Sequence, residues 1–180
     1  MKATGIVRRI DDLGRVVIPK EIRRTMRIRE GDPLEIYTDR DGEVIFKKYS
    51  PVGELASFAG HICETLAKTT GQTAIVSDRD SIIAASGVGK RDLQDKRISK
   101  ELERIIESRQ IYQHKSGETP VAVADGDTAN FISIAAPIIS EGDVSGCVAF
   151  VFDGTEAELG ETGYKLAQTV AGFLGKQMES

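Results

Sequence analysis

Cysteine and histidine are scarce: the 180 residues hold two of each. Cys63 and Cys147 have no CxxC partner and no neighbouring ligand set, so two buried thiols in a reducing compartment are expected, and no disulfide. His61 and Cys63 stand two apart in a helical pattern and point to different sides, while His114 has no visible partner. Neither a metal site nor a Cys/His nucleophile is therefore expected, and the reading is of a protein that is not an enzyme and carries no cofactor. No stretch approaches the roughly 20 uninterrupted apolar residues of a membrane span, and the first residues lack the apolar core and small-residue cleavage site of a signal peptide. That excludes a membrane role and places the chain in the cytoplasm. Internal repeats and low-complexity tracts are also missing.

Two further absences concern loops. The run Ser86-Gly87-Val88-Gly89-Lys90-Arg91 has neither the first glycine nor the Ser or Thr of a Walker motif, with Ala84 and Arg91 at those places, so it reads as a plain loop. Asp125-Gly126-Asp127-Thr128 has Ala136 where a calcium loop needs a bidentate Glu, and it reads as a turn.

What the chain does have is an uneven distribution of charge. The overall balance is −4, yet residues 1–50 carry 12 Lys+Arg against 9 Asp+Glu, while residues 51–180 carry 12 against 19. Residues 1–29 alone hold nine basic groups (Lys2, Arg8, Arg9, Arg15, Lys20, Arg23, Arg24, Arg27 and Arg29) against Asp11, Asp12 and Glu21. Such a surplus suits a polyanion, whereas the acidic remainder would be repelled by one. The breakers in Ser50-Pro51-Val52-Gly53 fall where the balance reverses, which sets two domains, 1–50 and 51–180.

In the first segment, residues 4–10 and 15–18 read as β-branched strands joined through Gly14, and Pro19 opens a helix from 20 to about 27. Residues 34–38 and 44–48 then form a hairpin around Asp41-Gly42, giving the order ββαββ. Val16-Val17-Ile18 and Val44-Ile45-Phe46 are apolar at consecutive positions, so both strand faces need cover that one short helix cannot supply. A second copy is the simplest source, and an interleaved homodimer through residues 1–50 is expected. On the short helix Lys20, Arg23, Arg24 and Arg27 fall at i, i+3, i+4 and i+7, so four cations share one face. Seven of the nine basic groups are arginine, whose planar fork bonds two phosphate oxygens or a guanine edge at once. Double-stranded DNA is the expected partner.

The second segment reads as α+β, an antiparallel sheet flanked by helices. Leu55, Phe58, Ile62 and Leu66 give one apolar face to a helix over 53–70. Strands are expected at 73–77 and 81–85, a helix over 92–108, strands at 111–114, 121–124, 131–139 and 144–152, and a closing helix with the stripe Leu166, Val170, Phe173 and Leu174. These stripes suit either a core or an interface between subunits, and a second interface of that kind would make a tetramer through residues 51–180.

The run from Met1 through TGIVR, LGRVVIP and Glu21-Ile22-Arg23-Arg24-Thr25 resembles the AbrB-type transition-state regulators. The resemblance implies a swapped-hairpin dimer that grips DNA with Arg8, Arg15, Arg23 and Arg24, together with Arg9, and that represses and activates genes late in sporulation. Arg27 and Arg29 are added from charge and periodicity. Residues 51–180, with Ala136-Pro137-Ile138-Ile139 followed by Val144-Ser145-Gly146-Cys147-Val148, resemble GAF sensor domains. The NKFDE signature of cyclic-nucleotide-binding members is absent. That resemblance leaves open an unidentified small-molecule ligand beside a purely pairing role, and hence a metabolite-sensor reading. The N-terminal pattern also leaves open an antitoxin, although such proteins usually end in a pliable tail where 130 residues of patterned sequence follow here.

Overall fold

The computed structural model describes residues 5–155 and 159–179 and divides into two compact units between Tyr49 and Ser50. Lys2 and the first residue of the strand expected at 4–10 lie outside the described residues.

In the first unit, Pro19 precedes α1 (Lys20–Thr25), and its carbonyl accepts the Arg23 N–H at 2.9 Å. The helix closes early. The Ile28 N–H returns to the Arg23 carbonyl at 2.8 Å and Arg27 sits at φ +51°, a left-handed position, so the chain turns away after Met26. β1 (Leu34–Thr38) and β2 (Val44–Lys48) then pair antiparallel, Ile36 opposite Phe46 and Tyr37 opposite Ile45. Gly42 at φ +85° turns the hairpin, and the Asp39 carboxylate accepts the N–H groups of Asp41 and Glu43.

The expected strands at 4–10 and 15–18 are not formed among the described residues 5–19. Only the tip between them is ordered by hydrogen bonds. Strands need a partner edge, and within one chain this arm has none: Val7 is 94% exposed, and Ile10, Leu13 and Val17 each about 70%.

The second unit begins with α2 (Pro51–Glu54), capped by Ser50 Oγ accepting the Gly53 N–H at 3.0 Å. A break at Leu55 separates it from α3 (Ala56–Thr70), so the expected single helix over 53–70 is two. Five strands follow in the antiparallel order β4-β3-β7-β6-β5: β3 (Thr73–Asp78), β4 (Ile82–Ser86), β5 (Tyr112–Gln113), β6 (Phe131–Ser140) and β7 (Asp143–Phe152). Glu141 and Gly142, both at positive φ, make the tight β6–β7 turn.

Consecutive apolar residues in β3 serve opposite faces, as the two-residue period requires. Ala74 and Val76 join Ala59, Cys63 and Leu66 of α3 and Ala167, Ala171 and Leu174 of α6 (Gly160–Met178). Ile75 joins the other cluster, where Leu93 of α4 (Lys90–Leu93) and Leu102 and Ile106 of α5 (Lys100–Glu107) meet Cys147 and Ala149. That second face is filled by side chains that are almost wholly buried.

The helix expected over 92–108 is split by an extended stretch. Asp95 has a positive φ, Ile98 bonds through its N–H to the Asp80 carbonyl, and Ser99 restarts a helix by accepting the Leu102 N–H at 3.0 Å. Ile98 is fully buried by this detour, which a continuous helix would not allow. Residues 121–124 form isolated bridges to Ile98 and Phe131, short of the expected strand.

Candidate nucleic-acid interface

Among the expected DNA contacts, Arg8 and Arg9 lie along the 5–19 arm, Arg15 at its tip, and Arg23 and Arg24 on α1. At the tip, Asp11 accepts the N–H groups of Leu13 and Arg15 on Oδ1 and the Arg15 guanidinium on Oδ2 at 2.8 Å, while the Asp11 N–H returns to the Arg15 carbonyl. Gly14 at φ +75° makes this closure possible. The Arg15 amide, then its guanidinium, hold the Asp11 carboxyl below its ordinary value. Arg15 is thereby aimed by Asp11 yet remains largely exposed.

Arg8, Arg9, Arg23 and Arg24 are exposed, and among the described residues none of the four is joined to a carboxylate. Arg23 and Arg24 both stand exposed in the last turn of α1. Of the five arginines named by the resemblance, Arg15 is the one that takes a carboxylate partner among the described residues.

Arg27 departs from the expected grouping. Because α1 stops at Thr25, position i+7 is no longer on the helix, and Arg27 is half-buried with its carbonyl accepting Lys48 Nζ at 2.8 Å. Arg29 is likewise drawn into structure. Its N–H donates to Asp32 Oδ2, and its guanidinium and Lys48 Nζ lie 4.0 and 3.6 Å from that carboxylate, which is 5% exposed. These residues fasten the 28–33 turn to β2. Asp11 and Asp32 as positioning groups were not singled out in the sequence. Asp11 accepts backbone N–H groups two and four residues on and Asp32 one three residues back, the short-range side-chain-to-backbone bonding typical of Asp in turns.

Cys63 and Cys147 are free and buried, and burial pushes each thiol up to about 12. The Ser77 hydroxyl beside Cys147, at 3.3 Å, only partly offsets this. Among the described residues no group of three His, Cys, Asp or Glu could hold a metal ion, and no helix is long and apolar enough to cross a membrane. Gly87 packs so closely on Thr73 that a Cβ there would collide, and Thr73 Oγ1 donates to the Val88 carbonyl at 2.8 Å. Asp127 spends its oxygens on the N–H groups of Ala129 and Asn130 and on the Asn130 amide. Both stretches serve as loop and turn.

An N-terminal unit with exposed arginines is followed by an α+β unit whose five-stranded sheet carries helices on both faces. Residues 54–179 match the family model described as "Stage V sporulation protein T C-terminal, transcription factor", and residues 7–53 match "Antidote-toxin recognition MazE, bacterial antitoxin". The chain is 50% identical over 179 residues to stage V sporulation protein T of Bacillus subtilis (strain 168), covering 99% of each. It is 48% identical over 77 residues to transition state regulatory protein AbrB of the same organism, covering 43% of this chain and 78% of that one. The PixJ GAF domain of Thermosynechococcus elongatus superposes with a TM-score of 0.54 at 13% identity, over 73% of this chain and 89% of that one, which establishes the GAF-like fold alone. The chain belongs to the stage V sporulation protein T family of transcription factors.

Proposed function

We propose that this transcription factor binds duplex DNA in the cytoplasm through an interlocked pair of residues 1–50, and that it represses and activates genes of late sporulation. One observation carries the reading. An arm of residues 5–19 exposes Val7, Ile10, Leu13 and Val17 to solvent without a partner strand, while Arg8, Arg9 and Arg15 are threaded through the same arm. Exposing that apolar surface is costly, at about 25 cal/mol per Å², and a second copy offering the same arm would cover it. Pairing brings the arginines of both arms together with Arg23 and Arg24, and the like charges so gathered are offset by phosphates. Arg27 is a secondary contact, since its carbonyl and half-buried side chain are engaged in the fold.

The phosphate contacts position the protein, and specificity comes from a few base contacts plus DNA shape. Residues 51–180 pair again to give a tetramer: the rings of Phe58 of α3 and Phe173 of α6 meet at 5.9 Å, tilted by 49°, and both are exposed, at 37% and 48%. The match of residues 7–53 to an antitoxin model supports a shared N-terminal framework. An antitoxin role is disfavoured by the long globular second unit.

Sedimentation of fragment 1–50 at micromolar concentration, with DNA titrations of the full chain, tests the reading. A folded dimer that binds duplex is expected; a folded monomer would refute the interlocking. In the full chain, Phe58→Glu is expected to convert tetramers to dimers that still bind DNA.

A further inference from the structure

We infer that Asp11 is a positioning residue that makes Arg15 the guanine-reading arginine of the DNA interface, while Arg8, Arg9, Arg23 and Arg24 hold phosphates. The inference rests on the duplex-DNA reading and adds to it which cation meets a base.

The hairpin tip ties Arg15 down at both ends. Asp11 Oδ1 accepts the Leu13 N–H at 3.0 Å and the Arg15 N–H at 2.8 Å, and Oδ2 accepts Arg15 Nε at 2.8 Å. Main-chain bonds from the Asp11 N–H to the Arg15 carbonyl and from the Gly14 N–H to the Asp11 carbonyl, both 3.0 Å, close the same turn. One carboxylate thus fixes the backbone of residue 15 and the far end of its side chain, so the freedom an arginine gives up on binding is already lost in the free protein. An arginine meets a pair of acceptors through Nε and one terminal nitrogen, or through both terminal nitrogens. Because Nε is taken, the edge left to a partner is Nη1 with Nη2, on a side chain that is 70% exposed.

The same carboxylate decides which partner suits that edge. The Arg15 amide, then its guanidinium, hold the Asp11 carboxyl below its ordinary value, so at neutral pH an anion lies against this cation. A phosphate approaching the terminal nitrogens meets the repulsion of Asp11 together with the attraction of Arg15, and much of its electrostatic binding is cancelled. A guanine edge carries no net charge, and its O6 and N7 are paired acceptors that match the terminal nitrogens, so it keeps the hydrogen bonds without that repulsion. Arg8, Arg9, Arg23 and Arg24 stand apart in this respect. They are exposed without a carboxylate partner among the described residues, and their uncompensated charge suits phosphates, which position the protein and carry no sequence.

The test uses the full chain and a duplex selected by it from a random-sequence pool. Each guanine of that duplex is replaced in turn by 7-deazaguanine, which pairs normally but lacks the N7 acceptor. In the wild type at least one replacement weakens binding about tenfold. In Arg15→Ala the penalty at that position falls below about twofold, which assigns the guanine to this side chain. Asp11→Asn keeps the Oδ1 acceptor of the turn and removes the anion, and its penalty falls in the same way. Asp11→Asn also releases the cation to phosphates: affinity for the unselected pool rises, and the slope of log affinity against log salt steepens by up to about 1.8 for two copies. A fall in both affinities would mark Asp11 as a folding element only and overturn the inference. So would a wild type indifferent to every 7-deazaguanine, a penalty that survives either substitution, or an Asp11→Asn salt slope no steeper than wild type. Each of these leaves the DNA reading standing, whereas a wild type that binds no duplex overturns both.

Discussion

Replacing Arg24 with alanine separates an electrostatic grip on DNA from a structural role for the same cation. Arg24 is exposed on α1 and makes no ion pair among the described residues, so its loss leaves the monomer's fold intact. A dimer presents two copies, and each phosphate contact contributes about 0.9 to the slope of log affinity against log salt, so Arg24→Ala flattens that slope by up to about 1.8. Between about 50 and 200 mM salt, a fourfold change, the variant should lose about tenfold less affinity than the wild type. Arg29→Ala is the internal control. Its guanidinium faces the nearly buried Asp32, which Lys48 also approaches, so that variant should lose about 1 kcal/mol of stability and leave the salt slope unchanged. Fluorescence anisotropy on a labelled duplex across a salt series, with thermal melts in parallel, reads both quantities. An Arg24→Ala slope equal to wild type, or an equal flattening by Arg29→Ala, would refute the assignment of roles.

Three further outcomes follow from the same geometry. Asp11 has its folded pKa below the ordinary 3.8, so the order it lends the hairpin tip is complete above that value and is lost as pH falls through the lower folded pKa. Carboxyl NMR titration should give a midpoint under 3.8 in the wild type, and a midpoint at or above it would contradict the tip geometry. Gly146→Ala places a methyl against the Ser77 carbonyl between β7 and β3, and should lower stability by about 1–3 kcal/mol in a thermal melt; an unchanged melting temperature would show that the strands yield. Cys63 and Cys147 should be silent to a thiol reagent at pH 8 in the native protein and both react after unfolding, since burial pushes each to about 12; reaction of the folded protein would show an opening not present in this fold.

Much of the secondary structure was legible because local signals and tertiary demands agree. The bounds of β1 and β2 are those expected from the β-branched runs and the Asp41-Gly42 turn, and β6 and β7 differ from expectation by single residues. The helix expected over 92–108 was misread because Leu93, Ile98, Leu102, Ile105 and Ile106 fit one amphipathic pattern. Ile98 is instead buried by an extended detour in which its N–H donates to the Asp80 carbonyl, 18 residues back, and no local pattern encodes that. The arm at 5–19 reveals a different limit: its β-branched pattern is strong, yet pairing needs an edge that one chain does not provide. Arg27 was grouped with Arg23 and Arg24 on a helix assumed to run two residues longer. The early stop depends on a non-glycine residue in the left-handed region, which periodicity cannot anticipate.

By itself the sequence determined where the charge lies, because formal charge belongs to residue type. It also determined which stretches carry apolar residues for both faces of a sheet, because the pleat has a period of two whatever its partners. The tertiary structure decided which cations stay in water and which fasten turns, separating Arg23 and Arg24 from Arg29, because that depends on where a distant Asp32 and Lys48 come to rest. It likewise decided that the face between the sheet and α5 is filled, since packing is set by the volumes of side chains brought together from remote positions.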